Sequence, residues 1–137
     1  MEDPHSRGFV SSVMTFSRGV NEAMRAHAEA AFPSECVGAL LGVGDEVQLS
    51  WPLQNCAPNP RLHFEVPARD FLAAEREAEA RGLSVRGYYH SHPDGPAEPS
   101  AEDAAHAEPG QWTVIIPVVA GVAAAPRAFR FAGRAAQ

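Results

Sequence analysis

Helical and strand-like spacings of apolar residues take turns along this chain. Val20, Met24, Ala28 and Ala31 recur every three or four positions, which predicts a helix running from Ser17, its expected N-cap, to a stop at Pro33. Residues 10–16 alternate weakly ahead of it and predict a short first strand. Behind it, Glu35 to Val43 is mostly apolar over the length of one strand, and Gly44-Asp45 suits a tight turn. Residues 46–53 then alternate through Val47, Leu49 and Trp51, so the two runs should pair as an antiparallel hairpin. Gly38 and Gly42 inside the first run point to close backbone approach or packing against a helix.

A loop rich in Pro and Asn follows over residues 55–60, and a short strand carrying His63 is expected over 61–66. Pro67 fits the first turn of a second helix, with Phe71, Leu72, Ala74 and Ala78 as its inner face and Gly82 as its stop. Residues 83–92 predict the third main strand, and a brief helix opens at Ser100 and ends before Pro109-Gly110. Residues 112–119 are the most apolar run and predict a central strand, in which Pro117 calls for a bulge or an edge. Phe129 and Phe131 alternate with Arg in a last, half-exposed strand over 127–132. The expected order is β-α-β-β-(β)-α-β-α-β-β, a mixed sheet with helices against it.

A chain of 137 residues without repeats or linkers is one domain; residues 1–9 are expected to be a tail and residues 10–137 the domain. No apolar run reaches the roughly 18 residues of a membrane span, and acidic Glu2 and Asp3 do not resemble a signal peptide, so a cytoplasmic location and no membrane partner are expected. The net charge of −6 with no basic block argues against a nucleic-acid partner. All eleven basic residues are Arg, which fits the codon bias of a GC-rich genome together with the abundant Ala, Pro and Gly. Cys36 and Cys56 are too few for a disulfide scaffold and are expected to be reduced thiols.

The chemistry gathers at the end of the third main strand. On a strand, residues i and i+2 share a face about 6–7 Å apart, so His90 and His92 present two imidazoles together while Ser91 points away. Pro93 stops the strand, leaving the pair at a sheet end. A divalent metal held by two imidazoles needs a further ligand, and Asp94, Glu98, Glu102 and Asp103 are all near. Asp103 is the best candidate, because the loop can fold back and a helix start can aim its carboxylate inward. Two His, one Asp and a water make the open site of a catalytic zinc, which would still need a base that is not a ligand. Blander readings stand beside this one. An isolated H-x-H arises often by chance, Ser100-x-x-Asp103 is also a capping box, and His106 is either a competing ligand or a solvated helix histidine. His27 is expected to be a boundary histidine of the first helix.

The stretch His90-Ser91-His92-Pro93, followed by Pro99-Ser100 and Asp103, resembles the JAMM motif of the MPN-domain metalloproteases, E…H-x-H-x(7)-S-x-x-D, at every spacing. Residues 33–42, P-S-E-C-V-G-A-L-L-G, resemble that family's P-x-E-x-x-G-x-L-x-G strand, and the order of elements agrees over nearly the whole chain. The resemblance implies an α/β (α+β) MPN/JAMM fold, a mixed β-sheet with flanking helices in a cytidine-deaminase-like architecture. It implies one zinc ion per chain bound by His90, His92 and Asp103. Glu35 would be the general acid/base and Ser100 the hydrogen-bond donor to the tetrahedral oxyanion. Cys36, pointing to the opposite face from Glu35, would have no catalytic role.

The compact chain is similar to free-standing prokaryotic members, which implies a zinc isopeptidase or peptidase cutting after the Gly-Gly tail of a ubiquitin-like or sulfur-carrier protein. That tail is expected to add a strand beside an active-site edge. A non-catalytic MPN scaffold would have been expected to lose ligands, and this chain keeps them all. A cupin-like metal enzyme also carries H-x-H but wants an acid three or four residues later, where none lies; a zinc deaminase wants P-C-x-x-C, which is missing. The pattern defines no oligomeric state.

Overall fold

The structure, a computed structural model, describes residues 9–11 and 14–132. Its elements in chain order are β1 (Phe9–Ser11), β2 (Thr15–Phe16), α1 (Val20–Ala31), β3 (Val37–Val43), β4 (Glu46–Leu53), α2 (Ala68–Ala80), β5 (Ser84–Pro93), α3 (Ala101–His106), β6 (Trp112–Val119), β7 (Val122–Ala123) and β8 (Arg127–Phe131). One mixed sheet runs β1-β8-β6-β5-β3-β4-β2, with β7 folded onto β6. Its pairings are antiparallel except β5 with β6 and β2 with β4. The parallel β5–β6 pair needs a crossover, and residues 94–111 make it, carrying α3 past the end of β5.

Strand β3 explains its own apolar run, because both faces are covered. Leu40 turns to a core with Val20, Met24 and Ala28 of α1, Tyr89, and Val114 and Ile116 of β6. Val37, Ala39 and Leu41 turn the other way, to Ala74 and Ala78 of α2. Each fully buried Leu or Val here contributes about 1.5–3 kcal/mol against solvent. Gly38 and Gly42 are positions where β3 can carry no side chain: a Cβ at Gly38 would collide with the ring of Tyr89, and one at Gly42 with the Glu46 carbonyl of β4. Tyr89 in turn spans the α1 layer, its hydroxyl 2.7 Å from His27 Nδ1, so His27 is the half-buried boundary residue expected of it.

Several local expectations are corrected. The single strand over 10–16 is two pieces at opposite edges of the sheet, β1 on β8 and β2 on β4, and β1 begins at Phe9, inside the expected tail; residues 12 and 13 lie outside the described residues. The N-cap of α1 is Gly19, with φ 88°, while Ser17 serves only through its carbonyl, which accepts from the Val20 N–H at 3.1 Å. Leu72, expected inside, is 45% exposed, because α2 meets the sheet through Ala74 and Ala78. No strand forms over 61–66. That segment is held by the side chain of Asn55, whose Oδ1 accepts from the Ala57 and Glu65 N–H groups and whose Nδ2 donates to the His63 carbonyl.

Pro117 lies in an interior strand without a bulge. Pairing of β6 with β8 ends at Ile115 and pairing with β7 starts at Val118, so the missing N–H falls where that flank has no strand partner. β7 itself has no signature beyond Val122 and Ala123. Among the described residues, no helix is long and apolar enough to cross a membrane.

Candidate metal centre

Register does the first part of the assembly. β3 pairs with β5 antiparallel, Val37 opposite His90, so stepping back along β3 brings Glu35 alongside His92. Parity along β3 then puts Glu35 on the face of Val37 and Ala39, and Cys36 on the α1 face with Leu40, as expected. Glu35 and Cys36 stand just outside the ladder, since β3 begins at Val37. Their backbone is held instead by side chains and a loop. Ser91, buried between the two histidines, accepts from the Cys36 N–H with Oγ at 2.8 Å, and its own N–H donates to the Cys36 carbonyl at 3.2 Å.

Asp103 is the carboxylate that arrives, not Asp94, Glu98 or Glu102. His90 Nε2 lies 3.2 Å from Asp103 Oδ1, His92 Nε2 lies 3.4 Å from Asp103 Oδ2, and the two Nε2 atoms are 3.1 Å apart. Zinc–nitrogen and zinc–oxygen bonds of 2.0–2.2 Å at tetrahedral angles require donors about 3.3 Å apart. The two nitrogens stand at such a spacing, each imidazole has one Asp103 oxygen within similar reach, and the donor set of two imidazoles and a carboxylate suits that ion. Among the described residues, these three are the group able to hold a metal. The side chain of His106 lies outside the described residues.

The capping box and the metal ligand prove to be the same carboxylate. Ser100 is the N-cap of α3: its Oγ accepts from the Asp103 N–H at 3.1 Å, and its own N–H donates to Asp103 Oδ2 at 2.8 Å. The cap thus fixes the rotamer that turns Asp103 toward the histidines. The Ser100 hydroxyl oxygen is an acceptor in this bond, which leaves its proton to donate into the cleft. His92 is oriented the same way, Nδ1 donating to the Pro96 carbonyl at 2.6 Å, so Nε2 keeps its lone pair for a metal. The ring of Phe64 lies against His90 at 5.0 Å between centroids.

The charges are arranged for a cation. Burial would raise the Asp103 carboxyl, but the facing His90 imidazole, the neighbouring His92 ring and the Ser100 N–H outweigh it, holding Asp103 well below the usual carboxylate range. Burial would lower His92, yet Asp103 and the Pro96 carbonyl raise it above its ordinary value. Glu35 goes the other way. Burial pushes its carboxyl up, and the pull of His90 and His92 only partly offsets that, which suits a group that must both take and give a proton. The two carboxyl groups of the site are thus pushed in opposite directions, Asp103 down and Glu35 up.

Two cavities flank the centre. One of about 810 Å³ is bounded by Phe64, Val66, Phe71 and Tyr88 and reaches His90 and Asp103. The other, about 460 Å³, contains Glu35, His92, Ser100 and Asp103, so every residue singled out in the motif except His90 shares one space. Between them His63 Nδ1 meets Glu102, 3.1 Å and 3.0 Å from its two oxygens, joining the 61–66 segment to α3. Sequence reasoning missed Ser91, Asn55 and this bridge. Ser91 was legible as the middle residue of H-x-H that must face the neighbouring strand; the other two contacts carry no local pattern.

Two imidazoles and a capped carboxylate that could hold a metal, with a separate buried Glu beside them, fit a metal-dependent hydrolase. The model of the prokaryotic homologues of the JAB domain matches residues 17–132. The chain belongs to this JAB/MPN family. It is 37% identical over 107 residues to a "Probable TtuB-protein conjugate cleaving protease" of Thermus thermophilus, covering 78% of this chain and 70% of that protein. It is 30% identical over 99 residues to the desampylase of Haloferax volcanii, covering 68% of this chain and 71% of the relative. A JAB1/MPN domain protein of Archaeoglobus fulgidus shares the fold, with a TM-score of 0.58 and 21% identity over 92% of this chain and 94% of that one.

Proposed function

We propose that this chain is a zinc metallo-isopeptidase or peptidase that hydrolyses the amide bond following the Gly-Gly tail of a ubiquitin-like or sulfur-carrier protein. The observation that carries the reading is the meeting of Glu35 with His92, Asp103 and Ser100 in one cavity, with His90 completing the donor triangle. His90, His92 and Asp103 would hold one zinc ion. Zinc held in such a site polarises a carbonyl and lowers the pKa of water to ~7.

Glu35 takes a proton from the attacking water as its oxygen bonds to the carbonyl carbon. The C–N bond then breaks, and Glu35 returns that proton to the departing amine nitrogen, so the carboxylate ends as it began. Ser100 donates its hydroxyl proton to the oxyanion, a contact whose loss typically costs ~100-fold or more in kcat. The substrate class is supported by the names of the relatives, a conjugate-cleaving protease and a desampylase.

The test is a carrier–Gly-Gly–peptide fusion and a carrier–lysine conjugate incubated with zinc-replete protein, the products being weighed by mass spectrometry. Cleavage directly after Gly-Gly, abolished by chelator and by Glu35→Ala, is the expected result; the substrate cut faster distinguishes precursor trimming from deconjugation. Full activity in Glu35→Ala with zinc retained would refute the mechanism.

A further inference from the structure

Glu35 sits where the sheet has stopped holding it. With β3 starting at Val37, neither backbone polar group of Glu35 enters the ladder; both turn to the loop before α2. Its N–H donates to the Pro60 carbonyl at 2.7 Å, and its carbonyl accepts from Asn55 Nδ2 at 3.0 Å. The same nitrogen donates to the His63 carbonyl at 3.0 Å, while its contact with the Pro60 carbonyl, at 3.5 Å, is too long to count. On the other side Asn55 Oδ1 accepts from the N–H groups of Ala57 at 3.0 Å and Glu65 at 3.2 Å. Two donors and two acceptors exhaust what a primary amide offers. The pairing also settles the orientation of the amide, since carbonyls face one end and N–H groups the other.

The hub joins parts of the site that are far apart in sequence. Through Glu35 it reaches the acid/base. Through His63 it reaches Glu102, the neighbour of the ligand Asp103. Asn55 itself lines neither cavity.

We propose that Asn55 is the positioning residue of the acid/base: by holding the Glu35 carbonyl to the 57–65 loop, its amide sets where the Glu35 carboxylate stands relative to His92 and Asp103. This rests on the hydrolase reading above. A residue acting in this way changes the chemical step while leaving the metal in place, because His90, His92 and Asp103 are held by β5 and by the Ser100 cap.

The experiment compares wild type, Asn55→Ala, Asn55→Asp, Glu35→Gln and the Glu35→Gln/Asn55→Ala pair in zinc content, KM and kcat on the carrier fusion. Asn55→Ala should keep stoichiometric zinc and a KM within about twofold, and lose about 10- to 100-fold in kcat, the scale of a misplacement near 1 Å. In the Glu35→Gln background the same change should alter the residual rate by less than about twofold, since a residue acting through Glu35 has nothing left to position. Asn55→Asp keeps oxygens for the Ala57 and Glu65 N–H groups but offers no N–H to Glu35 or His63, so it should lose kcat as Asn55→Ala does. It also serves in the pair if the alanine variant does not fold. Losses that multiply in the double variant, zinc lost with activity, or Asn55→Asp at wild-type kcat would each overturn the assignment. A zinc-loaded wild type inert on every fusion would instead refute the hydrolase reading, and the assignment with it.

Discussion

Replacing Ser91 by Ala tests how the metal strand and the Glu35 segment are joined. The Ser91 side chain faces away from the metal, fully buried, and its Oγ is the acceptor for the Cys36 N–H. Alanine leaves that N–H without a partner at a place where Cys36 is 2% exposed, so water does not replace the bond. A buried unpaired donor costs about 1–3 kcal/mol. For a domain of this size the unfolding entropy is about 0.3 kcal/mol per kelvin, from ~2.1 cal/mol/K per residue. The expected fall in Tm is therefore roughly 3–10 °C. Calorimetry of wild type and Ser91→Ala at matched zinc content measures it, and denaturant melts give the free energy independently. A loss under about 0.5 kcal/mol, the range of ordinary surface substitutions, would show that this bond does not hold the two segments together. Zinc should stay bound in the variant, because neither histidine depends on Ser91 for its contacts with Asp103.

Three other outcomes follow from the same geometry. Asp103→Asn keeps a carbonyl oxygen for the Ser100 N–H, so α3 should persist while zinc occupancy and hydrolysis collapse; metal analysis beside circular dichroism checks both halves. Burial lowers the pKa of His27 below its ordinary 6.5, so as pH falls through that value the unfolded chain binds the proton first and folded stability drops. Denaturant melts at pH 7.5 and 5.5 should therefore show a smaller difference in His27→Gln than in wild type. The Cys36 thiol, pushed up to about 11 by burial, should resist alkylation at neutral pH while exposed Cys56 reacts. Mass spectrometry should find one label on the native chain and two after unfolding.

Most of the scaffold was legible because its signals are short-range. The hairpin of β3 and β4, the boundaries of β6 and the α2 start at Pro67 follow from spacings within a dozen residues, where side-chain direction and secondary structure are tied. Failures came where a long-range partner decides. Residues 10–16 split because β8 and β4 each claim a piece. The 61–66 segment looks strand-like, yet the Asn55 amide takes its backbone groups before any strand can. Pro117 is tolerated in the interior because β8 ends and β7 begins on either side of it. Leu72 faces water because α2 meets the sheet through Phe71, Ala74 and Ala78.

The site divides along the same line. From the chain alone came two imidazoles on one face of a strand, a capped acid eleven residues after the second of them, and, through resemblance, a distant glutamate of the right kind. Local geometry is enough for the first two: a strand repeats every two residues and a cap reaches three. Tertiary structure alone decided that capping and metal ligation share one carboxylate, and that Glu35 leaves the ladder to be held by the Pro60 carbonyl and Asn55. Those outcomes depend on the register of β3 against β5 and on the path of two loops, and register is set by packing on both faces of the sheet rather than by the residues that do the chemistry.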